Sequence, residues 1–134
     1  MRNVITQSLL LAASPEQLFA MYLDPKLHGA ITGAPVTIGR QPQSEFSAFG
    51  GVLTGRILAV VESRLIVQSW RSNQFRASDA DSTLILSFQS TATGGQIDLV
   101  HLDVPDHDVV GVTAGWEKYY WSPWRHYLAA IGTT

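Results

Sequence analysis

The feature that most restricts the possible folds of this chain is a row of large apolar side chains near its C-terminus. Within residues 107–131 they recur at intervals of four or three, the repeat of one face of an α-helix. The members of this row are Trp116, Tyr120, Trp124, Leu128 and Ile131. A continuous helix of this length would extend roughly 37 Å, enough to cross a small domain. The chain must therefore bury one long aromatic helix face.

A proline interrupts this helical pattern at position 123. Because proline has no N–H, either the helix kinks there or a new helix begins with Ser122 as its N-cap. We expect the kink. Trp121 or Trp124, if exposed on the far side of the stripe, would mark a dimer interface, so the chain is expected to be a monomer or a homodimer.

The N-terminal part of the chain predicts one strand followed by two short helices. Residues 4–11 are rich in Val, Ile, Thr and Leu, which favours a strand. The sequence Ser14-Pro15-Glu16-Gln17 is typical of a capped helix start. Asp24-Pro25 interrupts that helix, and a second helix over 25–31 is expected to stop near Gly33.

The middle of the chain predicts strands alone. Short glycine-containing connections between them, such as Gly50-Gly51 and Gly94-Gly95, supply positive-φ turn positions and favour antiparallel pairing in sequence order. Alternation places Leu84, Leu86 and Phe88 on one face, and Ile97, Leu99 and His101 likewise. The expected strands cover 34–39, 44–49, 52–62, 64–71, 82–90 and 95–103.

Composition limits the classes of partner. The 134 residues suit a single domain over 1–134, and the 15% of charged residues is low for a soluble domain. A net charge of −2 with scattered arginines argues against nucleic acid. The chain has no cysteine, and its apolar run over residues 9–13 is too short to cross a bilayer. We therefore expect a cytoplasmic protein without a membrane partner.

Several short motifs together resemble one family of the START-like (SRPBCC) superfamily, the activators of the heat-shock-chaperone ATPase. The motifs are Phe46-Ser47-Ala48-Phe49-Gly50-Gly51, Gly55, Ile66 to Arg71, Asp81-Ser82-Thr83-Leu84, Val104-Pro105 and Gly115-Trp116 to Tyr120. The resemblance implies an α+β helix-grip fold, in which a curved antiparallel sheet of six or seven strands wraps a long C-terminal helix. It also implies a chaperone partner and a link to the stress response.

Aromatic residues are the main candidates for a ligand cavity between helix and sheet. Their rings offer large contact areas, and Tyr or Trp can orient a ligand through one polar atom; the alternative is that they simply fill the core. Phe75, in the loop over 72–81, is a candidate lid. The candidate ligand-binding residues are Phe46, Trp70, Phe75, Phe88, His101, Trp116 and Tyr120.

His101 is the polar candidate with the clearest alternatives. By strand parity it points inward, where it would act on a ligand as donor or proton shuttle, or serve as a satisfied core histidine. Its expected partners are Tyr119, Tyr120 or Glu45. No catalytic residue is assigned, and His101 takes that role only if the protein is an enzyme.

The remaining charged residues are expected to be structural. The tract from His101 to Asp108 resembles a metal-binding sequence, but Asp106 and Asp108 suit capping of the helix N-terminus, so no metal or other cofactor is assigned. Arg56 and Arg71 are expected to pair on the surface with Glu45 or Glu62. His28 is expected to be a surface histidine near the cavity mouth.

Three functions compete at this point. The first is a non-enzymatic protein that holds a small hydrophobic or amphipathic ligand. The second is a chaperone ATPase regulator, which rests on the resemblance. The third is a cyclase, dehydratase or hydrolase in which His101 and a tyrosine or carboxylate act as acid and base.

Overall fold

The computed structural model describes residues 3–132. The sheet strands, in chain order, are β1 Val4–Leu11, β2 Val36–Thr37, β3 Glu45–Ala48, β4 Leu53–Val61, β5 Leu65–Ser72, β6 Ser82–Thr91 and β7 Gly94–Leu102. The helices are α1 Pro15–Leu23, α2 Pro25–Thr32, α3 Val109–Trp116 and α4 Ser122–Gly132; a 3₁₀ turn over Asp106–Asp108 precedes α3, and a π turn over Glu117–Trp121 joins α3 to α4.

The caps of the two short helices form as the sequence predicts. The Ser14 hydroxyl accepts a hydrogen bond from the Gln17 N–H, and the Gln17 side-chain carbonyl accepts one from the Ser14 N–H. Asp24 ends α1 and caps α2 by accepting from the N–H groups of Lys26 and Leu27. Gly33 ends α2 in the left-handed conformation at φ 80°.

All seven strands form one antiparallel, curved sheet in the order β1-β7-β6-β5-β4-β3-β2. The predicted inward residues of β6 and β7 are buried and paired across the ladder: Leu84 opposite His101, Leu86 opposite Leu99, and Phe88 opposite Ile97. The predicted strand over 34–39 shrinks to Val36–Thr37, because β3 offers it only the two partners Ala48 and Ser47.

A close approach of backbones explains the glycine in β4. A Cβ added at Gly55 would overlap the carbonyl oxygen of Ser69 on β5. The Ser69 hydroxyl also accepts from the Arg56 N–H at 2.9 Å, and the β4–β5 register shifts between Ile57 and Ala59.

The C-terminal helix, from α3 through the π turn to α4, continues past Pro123 without a break. Its irregularity is the π turn just before that proline. Ser122 has helical dihedrals, and its N–H bonds to the Glu117 carbonyl five residues back. Ser122 is therefore helical, and α4 continues the preceding turn without a non-helical N-cap at that residue. The extra residue in this turn brings Trp116 and Trp121, five positions apart, into a stacked contact at 5.3 Å.

The C-terminal helix lies in the concave face of the sheet and is fastened to β1. The Trp121 indole donates to the Gln7 side-chain carbonyl at 2.6 Å, and the Gln7 amide donates to the Thr113 carbonyl at 3.1 Å. Trp121 and Trp124 are 4% and 1% exposed. The condition under which either would mark a dimer interface is therefore not met. Ile131, expected in the buried stripe, is instead exposed.

This arrangement confirms the α+β helix-grip fold that the motifs imply, with seven strands and two short helices after β1. Among residues 3–132, no helix is long and apolar enough to cross a bilayer.

Candidate functional site

A cleft of about 400 Å³ opens between the C-terminal helix and the β4–β5 end of the sheet. Its helix side carries Val112, Gly115, Trp116, Tyr119 and Tyr120. Its sheet side carries Phe49, Val52, Leu53 and Trp70, and one end is polar, with Ser72, Asn73, Gln74 and Asp108. The volume falls within the range of small-molecule sites. The cleft therefore has room for a small-molecule ligand.

Aromatic rings in mutual contact form the wall of the cleft. The ring of Trp116 lies 4.9 Å from that of Tyr120 and 6.2 Å from that of Trp70. Phe49 meets Tyr119 and Tyr120 edge to face, at 5.6 and 6.2 Å. These contacts bring together three of the predicted ligand-binding residues: Trp70, Trp116 and Tyr120.

His101 lies behind this wall, fully buried, with both ring nitrogens engaged. The Trp116 indole donates to its Nδ1 at 3.2 Å, so the imidazole proton must reside on Nε2, which donates to the Ser82 hydroxyl at 2.9 Å. Ser82 in turn donates to the Trp70 carbonyl at 2.6 Å. Burial lowers the pKa of His101 to about 4.

The expected partners of His101 were wrong, because its bonds run to Ser82 and Trp116 and not to Tyr119, Tyr120 or Glu45. His101 does not line the cleft. General acid–base chemistry needs a group within hydrogen-bond reach of the substrate. In this arrangement His101 holds the Trp116 indole and lies outside the cleft lining.

His28 holds Tyr120 in the same way, and its expected surface position was wrong, since it is 1% exposed. Its Nδ1–H donates to the Tyr22 carbonyl at 2.7 Å, so Nε2 is left to accept from the Tyr120 hydroxyl at 2.9 Å. Burial, partly opposed by the bond to Tyr22, lowers the pKa of His28 to about 4. Burial also raises the pKa of Tyr120, so its hydroxyl remains a donor.

The other predicted site residues lie away from the cleft surface. Phe46 packs 6.1 Å from the His28 ring, and Phe88 meets Phe19 edge to face at 5.7 Å. Phe75 is 8% exposed and packs 5.9 Å from Trp70, so it supports the cleft wall from behind. Phe46, Phe75 and Phe88 belong to the hydrophobic core and do not line the cleft.

The predicted surface pairs form in part. Arg56 pairs with Glu45 at 3.7 Å as expected. Arg71 pairs instead with Asp81 at 3.1 Å, because the loop after β5 returns Asp81 and two carbonyl groups to its guanidinium.

The acidic tract before α3 forms neither of the expected helix caps, since no side chain caps the first residues of that helix. Asp106 accepts from the Asn3 amide at 2.6 Å, and Asp108 accepts from the Ser72 hydroxyl at 3.4 Å. His107 lies 3.1 Å from Asp79, and its hydrogen bond is the main cause of the lowered pKa of Asp79. Within residues 3–132, no three His, Asp or Glu side chains converge as metal ligands would.

Sequence reasoning missed several residues of the cleft. Val112 precedes Trp116 by four positions and was detectable by extending the helical stripe backward. Phe49 was hidden, because it takes a φ of 53° in the turn before Gly50. Such backbone strain in a non-glycine residue is typical of functional sites. Within residues 3–132, the buried indole N–H of Trp70 has no hydrogen-bond partner, so packing holds that ring.

A curved sheet that grips a long C-terminal helix, with an apolar cleft between them, defines a START-like helix-grip protein. Comparison with known proteins narrows this class. Residues 12–128 match the family described as Activator of Hsp90 ATPase homolog 1-like protein, and the chain belongs to this family.

Solved structures of related proteins share this fold. A Mesorhizobium loti protein superimposes with a TM-score of 0.81 at 19% identity, over 96% of this chain and 98% of that one. An HSP90 activator from Plasmodium falciparum gives a TM-score of 0.75 at 20% identity, over 98% and 95% of the two chains.

Curated relatives are longer than this chain. The Homo sapiens activator of the 90 kDa heat shock protein ATPase is 24% identical over 116 residues, which cover 87% of this chain and 34% of the human protein. The chain thus spans about one third of the length of the curated relatives it matches, whose matched shares are 35% and 34%.

Proposed function

We propose that this protein binds a small hydrophobic or amphipathic molecule in the cleft between the sheet and the C-terminal helix, without catalysing a reaction. The observation that carries the proposal is the aromatic wall of Trp70, Trp116 and Tyr120 around about 400 Å³ of space. An apolar wall with a few polar groups at one end is the usual composition of a ligand site.

The two buried histidines support a binding role over a catalytic one. His101 and His28 each use both ring nitrogens to hold a residue of the wall or the backbone behind it. Neither touches the cleft surface. Their role in this proposal is to keep Trp116 and Tyr120 in place before the ligand arrives, which lowers the cost of ordering the site on binding.

A cleft-filling variant tests the proposal. Gly115 lines the cleft, and a Cβ added there meets only the Tyr119 ring at 3.8 Å, so Gly115→Leu extends into the cleft without a backbone clash. Gly132→Leu is the matched control, because it changes the same residue type at the far end of α4, in open space.

Thermal shift and native mass spectrometry with a panel of fatty acids, fused aromatics and polyketide-like compounds provide the measurement. We expect at least one compound to raise the melting temperature of the wild type and of Gly132→Leu, and to leave that of Gly115→Leu unchanged. A panel without any stabilising compound, or a shift that survives in Gly115→Leu, would contradict binding in the cleft.

Family membership favours a second candidate, regulation of a heat-shock chaperone ATPase. The observation specific to this chain is a set of exposed apolar side chains beside the cleft mouth: Val52, Val110 and Tyr119 are 39%, 83% and 48% exposed. An apolar surface of this kind suits a protein partner.

The test is ATPase turnover of the Hsp90-type chaperone from the same organism, with and without this protein. Stimulation that is weakened by Val110→Asp, but not by Val61→Asp, would support the role, because Val61 is exposed at the end of β4 farthest from the cleft-lining Leu53. No change in turnover at micromolar protein would exclude it.

A further inference from the structure

The electrostatic character of the cleft is set by one residue. Among the described residues that line it, Asp108 is the only one with a formal charge, and no lysine, arginine or histidine takes part. The other polar groups of that end, Ser72, Asn73 and Gln74, are neutral. A ligand in this cleft therefore meets negative charge at one end and aromatic rings along its length.

The carboxylate of Asp108 bonds to a residue of the sheet and does not cap its own helix. Asp108 immediately precedes α3, yet its side chain caps none of the helix N–H groups. Its Oδ2 atom instead accepts from the Ser72 hydroxyl on β5 at 3.4 Å, and that hydroxyl accepts from the Gln74 N–H at 3.0 Å. The carboxylate is thus held at the polar end of the cleft by Ser72, the last residue of β5.

The cations near the cleft are committed elsewhere. The guanidinium of Arg71 bonds to Asp81 and to two backbone carbonyls. The Lys118 ammonium lies over the Tyr119 ring, 5.2 Å from its centroid. None of the ion pairs within residues 3–132 includes Asp108. The N-terminus of α3 contributes about half a positive charge, which the full charges of Asp106 and Asp108 outweigh.

Aromatic faces and a carboxylate together favour a cation. The electron-rich faces of tryptophan and tyrosine attract ammonium groups within about 6 Å, most strongly where water is excluded. A carboxylate adds a charge-assisted hydrogen bond to an N–H donor. An anionic ligand has no cationic side chain to meet in the lining and is repelled by Asp108.

We propose that the ligand of this cleft is a cationic amphiphile: an amine on an apolar or aromatic body, with the ammonium at Asp108 and the body along Trp70, Trp116 and Tyr119. This inference rests on the proposed binding function and adds the chemical class of the ligand. It accounts for the one charged residue of the lining, which a purely apolar ligand would leave without an opposite charge.

Three probes of nearly equal shape test it: 4-phenylbutylamine, 4-phenylbutan-1-ol and 4-phenylbutanoate, with a cationic, neutral and anionic end at pH 7. Dissociation constants are measured by isothermal titration calorimetry for the wild type, Asp108→Asn and Asp106→Asn. Asp106 carries the same charge two residues away and does not line the cleft, so its variant controls for the overall charge. Circular dichroism spectra confirm that each variant is folded.

We expect the amine to bind at least about tenfold more tightly than the alcohol, and the carboxylate most weakly. This preference should vanish in Asp108→Asn and persist in Asp106→Asn. If alcohol and amine bind the wild type equally, or the preference survives in Asp108→Asn, the inference is overturned while the cleft still binds apolar molecules. If none of the three binds at millimolar concentration, both the inference and the proposed binding function fail for ligands of this size.

Discussion

The indole N–H of Trp116 on the C-terminal helix donates to Nδ1 of His101 on strand β7, at a distance of 3.2 Å. This bond joins the two layers of the fold at the back of the cleft. Because a tryptophan N–H can only donate, it fixes His101 as the neutral tautomer with its proton on Nε2. Protonation of His101 would place an N–H on Nδ1 opposite the Trp116 N–H, and the hydrogen bond between them would be lost.

Acid is therefore expected to destabilise the fold. In the unfolded chain a histidine takes up its proton near pH 6.5, whereas the folded pKa values of His28 and His101 lie at about 4. The unfolded state binds more protons between these values, so the stabilising contribution is complete above pH 6.5 and is lost as the pH falls toward 4. The loss is about 2 kcal/mol for each histidine at pH 5.

Urea unfolding at pH 7 and pH 5 measures this effect. His101→Gln should remove about 2 kcal/mol of the difference between the two pH values, while His126→Gln, at an exposed position, should leave the difference as it is. An identical pH dependence in wild type and His101→Gln would contradict the assignment.

Ser82→Ala is expected to lower the free energy of unfolding by roughly 1–3 kcal/mol. The substitution leaves the Nε2–H of His101 and the carbonyl of Trp70 without their buried partner. Ser8→Ala provides the comparison, because its hydroxyl bonds to Asp98 on the exposed face of the sheet and water can replace it. Equal urea midpoints for the two variants would show that the buried relay adds nothing.

Gly55→Ala is expected to cost at least about 2 kcal/mol, since a methyl group there overlaps the backbone of β5 and neither strand can yield without breaking its ladder. Gly132→Ala, in open space on α4, should be neutral or slightly stabilising. Chemical denaturation distinguishes the two. A Gly55→Ala protein as stable as the wild type would exclude the close approach of β4 and β5.

Two helical glycines at the cleft should respond differently to alanine. Gly115→Ala removes the helix-breaking tendency of glycine at a position with room for a methyl group, and should stabilise the protein by about 0.5–1 kcal/mol. At Gly111 the new methyl lies 3.1 Å from the Asp108 carboxylate. Gly111→Ala should therefore gain less in thermal denaturation, and an equal gain would mean that Asp108 is free to move.

Most elements of the fold could be predicted from local pattern. The Ser14 capping box, the end of α2 at Gly33 and the inward row of Leu84, Leu86 and Phe88 depend on residues close in sequence, and the structure has all of them. The π turn before Pro123 had no such local signature. Its last residue, Trp121, bonds to Gln7, which is distant in sequence, and stacks on Trp116, five residues earlier.

The candidate site was less predictable. Aromatic spacing pointed to Trp116 and Tyr120. Whether His28 and His101 line the cleft or lie buried beside it depends on how the helices pack on the sheet, and no local pattern indicates this. Charge pattern alone suggested that Asp108 caps α3, whereas in the structure Ser72, 36 residues away, binds it at the polar end of the cleft.

The sequence by itself determined the α+β class, the antiparallel order of the strands and the long aromatic helix, because alternation, caps and glycine turns act over a few residues. Only the tertiary structure decided that the helix leaves a cleft, that both inner histidines are used to hold its wall, and that a single carboxylate faces into it. Those properties arise where side chains from distant segments compete for the same space and the same hydrogen bonds, and no local pattern specifies the outcome.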